Sequence, residues 1–447
     1  MKFRYRSEEE MKDSGVEWIG KIPKDWDSMK IKYISPIGRG ASPRPIDDEK
    51  YFNDNGEYAW TRIADVSVSG KYLLETKQRM SELGSSFSVK LEPDSLFISI
   101  AGTVGKPCIT KIKACIHDGF IYFHNLKEEY VDFLYNIFSV GECYAGLGKL
   151  GTQLNLNRET IGNICIPNPN NNTKQKITSF LSEKTTQFDF IISKKEALIQ
   201  KLEEAKKSLI SEVVTGKVRV VKTFDGYELV ERKKEEMKDS GVEWIGDIPK
   251  EWWLKKLKYI SDIYRGAILR PVDEPTYFDE NGMWRYLNIS DATKCDKYLE
   301  DGGIGLSELG SKKSERVEAG NLILTASATI GKPLINNINI CIHDGFIAFK
   351  NFKVNRDFLY YVLTNKSIYE NMGKSNTQKN IYLDEVKNIY IAQPSVEEQK
   401  IIVKYIEERW LLVDSSIVNI KTQIQKLKEA KQSLISEAVT GKIEILD

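Results

Sequence analysis

The chain has 447 residues, 29% of them charged, and its 65 basic and 64 acidic side chains leave a net charge of +1. That length exceeds what one hydrophobic core holds and asks for two or three domains. Near-neutrality excludes a bulk electrostatic case for nucleic-acid binding, which local patches would have to supply. The first residues, MKFRYRSEEEMKDSG, lack the apolar stretch of a signal peptide, and no 18-residue apolar run is present to span a membrane. The six cysteines (108, 115, 143, 165, 295, 341) follow no disulfide framework and suit a reducing, cytoplasmic setting.

Met11–Trp26 reads MKDSGVEWIGKIPKDW and returns as Met237–Trp252, MKDSGVEWIGDIPKEW, with 14 of 16 positions identical. Gly15–Ile22 has the spacing of a phosphate-binding loop up to its lysine. It lacks the following Ser or Thr, however, and the second copy puts Asp247 where Lys21 stands, so the stretch reads as packing. The body that follows carries Arg39-Gly40, Arg44-Pro45, the turn signal Asn55-Gly56 and Trp60-Thr61-Arg62. Asp94–Ile100 and Cys115–Phe123 read as buried strands, Val131–Val140 as a helix, and Lys149–Asn157 as a polar loop.

From Thr173 the pattern changes to a long run without Pro or Gly that ends at Thr215-Gly216-Lys217, where Gly supplies the expected helix stop. Phe188, Ile191, Leu198, Leu202 and Leu209 form a seam of period near 3.5, which suits a coiled coil about 65 Å long. Val218–Glu236 reads as a charged linker. The whole order then repeats at an offset of 225–226 residues: Arg265-Gly266, Arg270-Pro271, Asn288 at the place of Arg62, Cys341–Phe349, Thr377-Gln378, and a second seam at Val413, Ile417, Ile420, Ile424, Leu427 and Leu434. Ile199–Lys217 and Ile424–Lys442 agree at 16 of 19 positions, while the bodies differ at most. The chain is a tandem duplication of α+β bodies, each followed by a long helix, and two such seams can bury each other.

Cys115-x-His117 and Cys341-x-His343 offer two metal ligands each, short of the four a tetrahedral site needs. His117-Asp118 and His343-Asp344 have no nucleophile motif beside them, and on a strand the two side chains would face opposite ways. Pro93-Asp94 lacks the later acidic-x-Lys of a metal-dependent nuclease, and no Asn/Asp-Pro-Pro-aromatic tetrapeptide of an amino-methyltransferase exists. The expectation is a non-catalytic chain that binds no cofactor and no metal. What is present are polar loops: Arg39, Arg44, Arg62, Lys149, Gln153 and Asn155 in one body, and Arg265, Arg270, Asn288, Lys374, Gln378 and Asn380 in the other. Arg suits guanine, Gln and Asn suit adenine, and Lys suits phosphate, so these are the candidate DNA contacts. Solvated loops remain the plain alternative for any one of them.

The paired Leu-Ile-Ser-Glu-x-Val-Thr-Gly-Lys helix ends (Leu209–Lys217, Leu434–Lys442), Gln175-Lys176-Ile177 and Gln399-Lys400-Ile401 near the helix starts, and the duplicated Gly-Val-Glu-Trp-Ile-Gly carry a resemblance. The chain resembles the specificity subunits of type I restriction–modification enzymes over nearly its whole length. The resemblance implies target recognition domains at 1–172 and 237–395, each reading half of a split, asymmetric double-stranded DNA site. It implies long helices at 173–217 and 396–442 forming an antiparallel coiled coil that fixes the spacing, with 218–236 as linker and a pseudo-twofold relation between the halves. It also implies two methylation subunits that bring S-adenosylmethionine, and restriction subunits that use ATP and magnesium. Trp410-Leu411-Leu412 departs from the more polar Lys184–Gln187 of the first copy. A non-catalytic coiled-coil adaptor, or an enzyme with an unrecognised site, are the other readings.

Overall fold

The computed structural model describes residues 2–147, 156–370, 372 and 380–446. Its longest elements are two helices of 44 residues, Asn171–Val214 and Val396–Val439. The first is capped by Asn170, whose Oδ1 accepts from the Thr173 amide at 2.9 Å; at the second, Ser395 Oγ accepts from the Glu398 amide at 3.2 Å. Both end through a glycine of positive φ, Gly216 at 78° and Gly441 at 73°. The Lys217 amide reaches back to the Glu212 carbonyl at 2.9 Å, and the Lys442 amide to Glu437 at 2.9 Å, which satisfies the last turn.

These stops explain why the two best-preserved stretches of the repeat are preserved together. A Cβ on Gly441 would lie 2.5 Å from Pro23 Cδ, and one on Gly216 the same distance from Pro249 Cδ. Trp26 and Trp252 close over the same ends and are nearly fully buried. Ile19, Ile22 and Trp26 share a core with Ile435, Ala438 and Val439; Ile245, Ile248 and Trp252 share one with Ile210, Val213 and Val214. Neither partner can drift alone without opening a cavity.

The chain forms two compact units that cut across its linear segments: residues 1–195 with 421–447, and residues 196–420. Each unit therefore holds one body, the start of the helix that follows it and the end of the other long helix. In the first unit the two helices run antiparallel. Lys431 Nζ meets the Asp189 carboxylate at 2.6 Å, while Lys195 Nζ donates to Gln423 Oε1 at 2.6 Å. In the second unit Lys206 Nζ meets Asp414 Oδ1 at 2.5 Å and sits 3.7 Å above the Trp410 ring.

The seam differs from the expected one in phase. Ile191 and Leu198 are 42% and 46% exposed, whereas Ile192 is 7% exposed and Ile199 half-buried. Both sites are adjacent apolar pairs, and choosing the neighbour turns the stripe by about 100°. The inward stripe also contains half-buried lysines, Lys195 and Lys206, which an apolar-only pattern skips. Phe188, Leu202 and Leu209 are half-buried on it, and on the second helix Ile417 and Ile424 are buried with Val413, Ile420, Leu427 and Leu434 half-buried.

Each body is α+β, built on a five-stranded and a four-stranded sheet. In the first body the five-stranded order is 37–39, 120–123, 96–99, 107–110, 72–73, and the four-stranded order is 78–79, 59–61, 114–116, 89–91. The second body repeats both: 262–265, 346–350, 322–325, 333–336, 298–299, and 304–306, 284–287, 340–342, 315–317. Cys115–Phe123 is thus not one strand. Ala114–Ile116 and Phe120–Phe123 belong to different sheets and are separated by a turn at 117–119. A further two-stranded sheet ties Asp27–Lys30 to Cys165–Asn168, as Trp253–Lys256 is tied to Tyr390–Gln393.

The stretch read as a charged linker is a hairpin. Val218–Thr223 pairs with Gly226–Glu231 around Phe224-Asp225, and a short 3-10 turn follows at Lys234–Glu236. Its charges at Arg219, Lys222, Glu228 and Glu231 enclose the apolar pairs Val220-Val221 and Leu229-Val230, and Asp225-Gly226 is a turn signal. In the first unit the same two-stranded sheet is made from Lys2–Tyr5 and Ile443–Leu446.

Candidate nucleic-acid interface

In each body an Arg-Gly step lies against the turn that joins the two sheets. Strand Ile37–Arg39 pairs with Phe120–Phe123, which brings Arg39 beside Asp118. Arg39 Nε donates to the Asp118 carbonyl at 2.6 Å; Arg265 Nε donates to the Asp344 carbonyl at 2.8 Å. Gly40 and Gly266 permit this approach, since a Cβ there would stand 2.1 Å from the carbonyl oxygen of His117 or His343. Arg44 Nη2 meets Asp118 Oδ2 at 3.3 Å and Ser42 Oγ donates to Oδ1 at 3.1 Å. In the second body Ile268 replaces Ser42, and among the described residues Asp344 makes no ion pair with an arginine; Arg270 is exposed. Tyr51 Oη holds the Arg44 carbonyl at 3.2 Å, as Tyr277 Oη holds that of Arg270.

The histidine of this turn has a structural task. His117 Nδ1 accepts from the Gly119 amide at 2.8 Å, and His343 Nδ1 from the Gly345 amide at 2.9 Å. Burial lowers the His117 pKa from its usual value, with Arg62 adding to the effect and Asp118 opposing it. The expectation that His and Asp face opposite ways fails because both sit in a turn, where His117 Nδ1 and Asp118 Oδ1 are 3.8 Å apart. The Nδ1 lone pair is nonetheless taken by the amide, so Asp118 does not orient the imidazole as a base. Cys115 and Cys341 are buried, with thiols pushed up to about 11 and about 12 by burial. Among the described residues no group of three or more His, Cys, Asp or Glu side chains is placed to hold a metal ion.

Arg62 and Asn288 stand at the same place, each exposed at the start of a short helix whose Asp (Asp65, Asp291) accepts from their backbone amides at 2.8 and 3.2 Å. The first body brings Arg39 and Arg44 to Asp118 and Arg62 near His117; in the second, Arg265 holds the Asp344 carbonyl, and Arg270 and Asn288 occupy the equivalent places of the repeat. Lys149, Gln153, Asn155, Lys374 and Gln378 lie outside the described residues. Asn380 is half-buried, and its Oδ1 has no hydrogen-bond partner among the described residues.

A cleft of about 770 Å³ opens beside this cluster in the first body, lined in part by Lys32, Arg39, Asp118, Asn157, Arg158 and Asn163. Lys32, Arg158 and Asn163 were not among the residues the sequence singled out. Asn163 lies 131 residues from Lys32, whose Nζ it meets at 2.9 Å, and only the repeat of Lys-x-Lys-Tyr at 30–33 and 256–259 could have pointed there.

A family model for the type I restriction modification DNA specificity domain matches residues 23–204 and 249–429. The type I restriction enzyme MjaVIII specificity subunit of Methanocaldococcus jannaschii is 23% identical over 451 residues, covering 95% of this chain and 94% of that protein. The putative MjaX specificity subunit of the same organism is 23% identical over 459 residues, covering 96% of each. A chain from a solved structure concerned with complex assembly and conformational transition of the type I restriction–modification system superposes with a TM-score of 0.69, covering 94% of this chain and 99% of that one. At 15% identity that likeness speaks for the fold alone.

Proposed function

The chain belongs to the type I restriction–modification DNA specificity family, and from that premise we propose that it reads a split, asymmetric duplex target, one half-site per body. It is a DNA sequence-specificity subunit that works in a complex with other subunits. We assign it two methylation subunits, which carry S-adenosylmethionine, and restriction subunits that use ATP and magnesium; the chain itself performs no turnover.

One observation carries the two-reader assignment. The bodies keep one backbone frame and one Arg-Gly/His-Asp turn, yet change side chains at exposed or half-buried positions of that frame: Arg62 to Asn288, Ser42 to Ile268, Arg158 to Leu383. A frame held constant under altered hydrogen-bonding groups is what two readers of different bases require. The test is methylation mapping of genomic DNA by the complex reconstituted with its partner subunits. A target of two unlike half-sites is expected. A target of two identical half-sites, or no sequence preference with salt-dependent binding absent, would refute the assignment, and the second outcome would favour an adaptor without DNA reading.

A further inference from the structure

We propose that the lysine–asparagine pair built into both bodies, Lys32 with Asn163 and Lys258 with Asn388, grips a DNA phosphodiester without regard to sequence, while Arg158 in the same cleft reads a base of one half-site only. The assignment rests on the DNA-reading function above and divides its surface into a shared and a private part.

The shared part starts from a local device. Ile31–Tyr33 and Leu257–Tyr259 are single 3-10 turns whose first residue, Ile31 or Leu257, is fully buried. That anchor turns the next two side chains outward, so Tyr33 is 72% and Tyr259 61% exposed. Lys32 Nζ lies 5.5 Å from the Tyr33 ring centroid and Lys258 Nζ 5.4 Å from that of Tyr259. Each ammonium is aimed by an amide: Lys32 donates to Asn163 Oδ1 at 2.9 Å, while Lys256 and Lys258 both donate to Asn388 Oδ1 at 3.2 Å.

The partner's chemistry decides what these lysines are for. Elsewhere on the first body Lys50, Lys71, Lys111 and Lys113 each meet a carboxylate, which offsets their charge. A neutral carbonyl instead orients the ammonium and leaves its full charge for an external anion. A phosphodiester fits: it takes a point charge from lysine and a hydroxyl bond from a neighbouring tyrosine, and carries no sequence information. The repetition fits as well, since every half-site offers the same backbone.

The private part is Arg158. It is exposed, it shares the cleft with Lys32, Arg39 and Asn163, and its guanidinium has no ion pair or hydrogen bond to a described residue. The neighbouring Asn157 is committed to capping, its Oδ1 accepting from the Glu159 and Thr160 amides. In the second body the counterparts are Leu383 and an exposed Tyr382, so the guanidinium is no part of the common frame.

The experiment uses the complex with its methylation subunits, the mapped target duplex and a scrambled duplex of equal length. Lys32→Ala with Lys258→Ala should weaken both duplexes by the same factor and lower the slope of log affinity against log salt by about two. The base preference should stay as it was, and Lys32→Arg with Lys258→Arg should restore binding. Arg158→Leu should relax one base pair of one half-site about tenfold or more and leave the other half-site untouched. An unchanged slope, an altered base preference in the lysine variants, or uniform weakening by Arg158→Leu overturns the assignment. Loss of subunit assembly with the slope intact would give the shared patch to a protein partner and overturn it too. A wild-type complex without a split target sinks the reader model itself; a split target with unaffected variants sinks only this assignment.

Discussion

Protonation of His117 opposes the turn that holds the arginines in place. The folded state lowers its pKa, chiefly by burial, so the unfolded chain takes up the proton first as pH falls through about 6.5. The neutral ring's contribution is complete above that value and is lost progressively below it. His117→Asn keeps an acceptor for the Gly119 amide and removes the titration. The melting temperature of the wild type should therefore fall further between pH 7 and pH 5.5 than that of the variant; parallel curves would rule the titration out. Arg44 answers a different test. Arg44→Ala should relax one half-site by about 1–3 kcal/mol and Arg270→Ala the other, as seen by methylation mapping, and loss at the same base pairs in both variants would contradict separate readers. Arg39 and Arg44 were visible in the sequence because the Gly and Pro beside them break the apolar pattern, although Arg39 ends a strand and does not lie in a loop. The tie of Arg44 to Asp118 spans 74 residues and could not be seen.

At the level of elements, both long helices were legible within a few residues, since caps, glycine stops and unbroken periodicity are local signals. The inward face was not, because Ile191-Ile192 and Leu198-Ile199 offer the same hydrophobicity one residue apart. Truncation separates the two. Ile192→Ala should cost about 2–5 kcal/mol, the usual range for a buried aliphatic, and Ile191→Ala should stay within about 1 kcal/mol, both read from denaturant unfolding. Equal costs would restore the apolar-only seam. The hairpin at 218–231 escaped for a related reason: Arg219, Lys222, Glu228 and Glu231 stand three apart and break the two-residue alternation of a strand, leaving only the β-branched valines and Asp225-Gly226 as signals. The stretch from Cys115 to Phe123 reads as one strand because its residues are apolar on both sides of the turn, although Asp118-Gly119 is itself a turn signal.

At the scale of the whole molecule, the duplication is legible as repeated words, but the compact units are not, because each borrows the end of the other half's helix. The borrowing has a counterpart in the two small sheets. In the hairpin Val218 faces Glu231, and in the first unit Ile443 faces Tyr5, which is the same rung after the repeat offset. Arg4 and Glu444 face each other on the next rung and add an ion pair at 2.5 Å. Strands joined by a two-residue turn in one sheet are brought together by pairing and ion pairs in the other. The polypeptide can be re-threaded: joined from residue 446 to residue 2 through a two-residue turn like Phe224-Asp225, and opened between those two, where Phe224 is fully exposed. Ends that already lie on neighbouring strands add little closure entropy. The re-threaded chain should melt within a few degrees of the original and, with its partner subunits, methylate the same target with the half-sites in the same order. A lost or reversed target would mean that gene order, rather than the geometry of the folded halves, decides which half-site comes first.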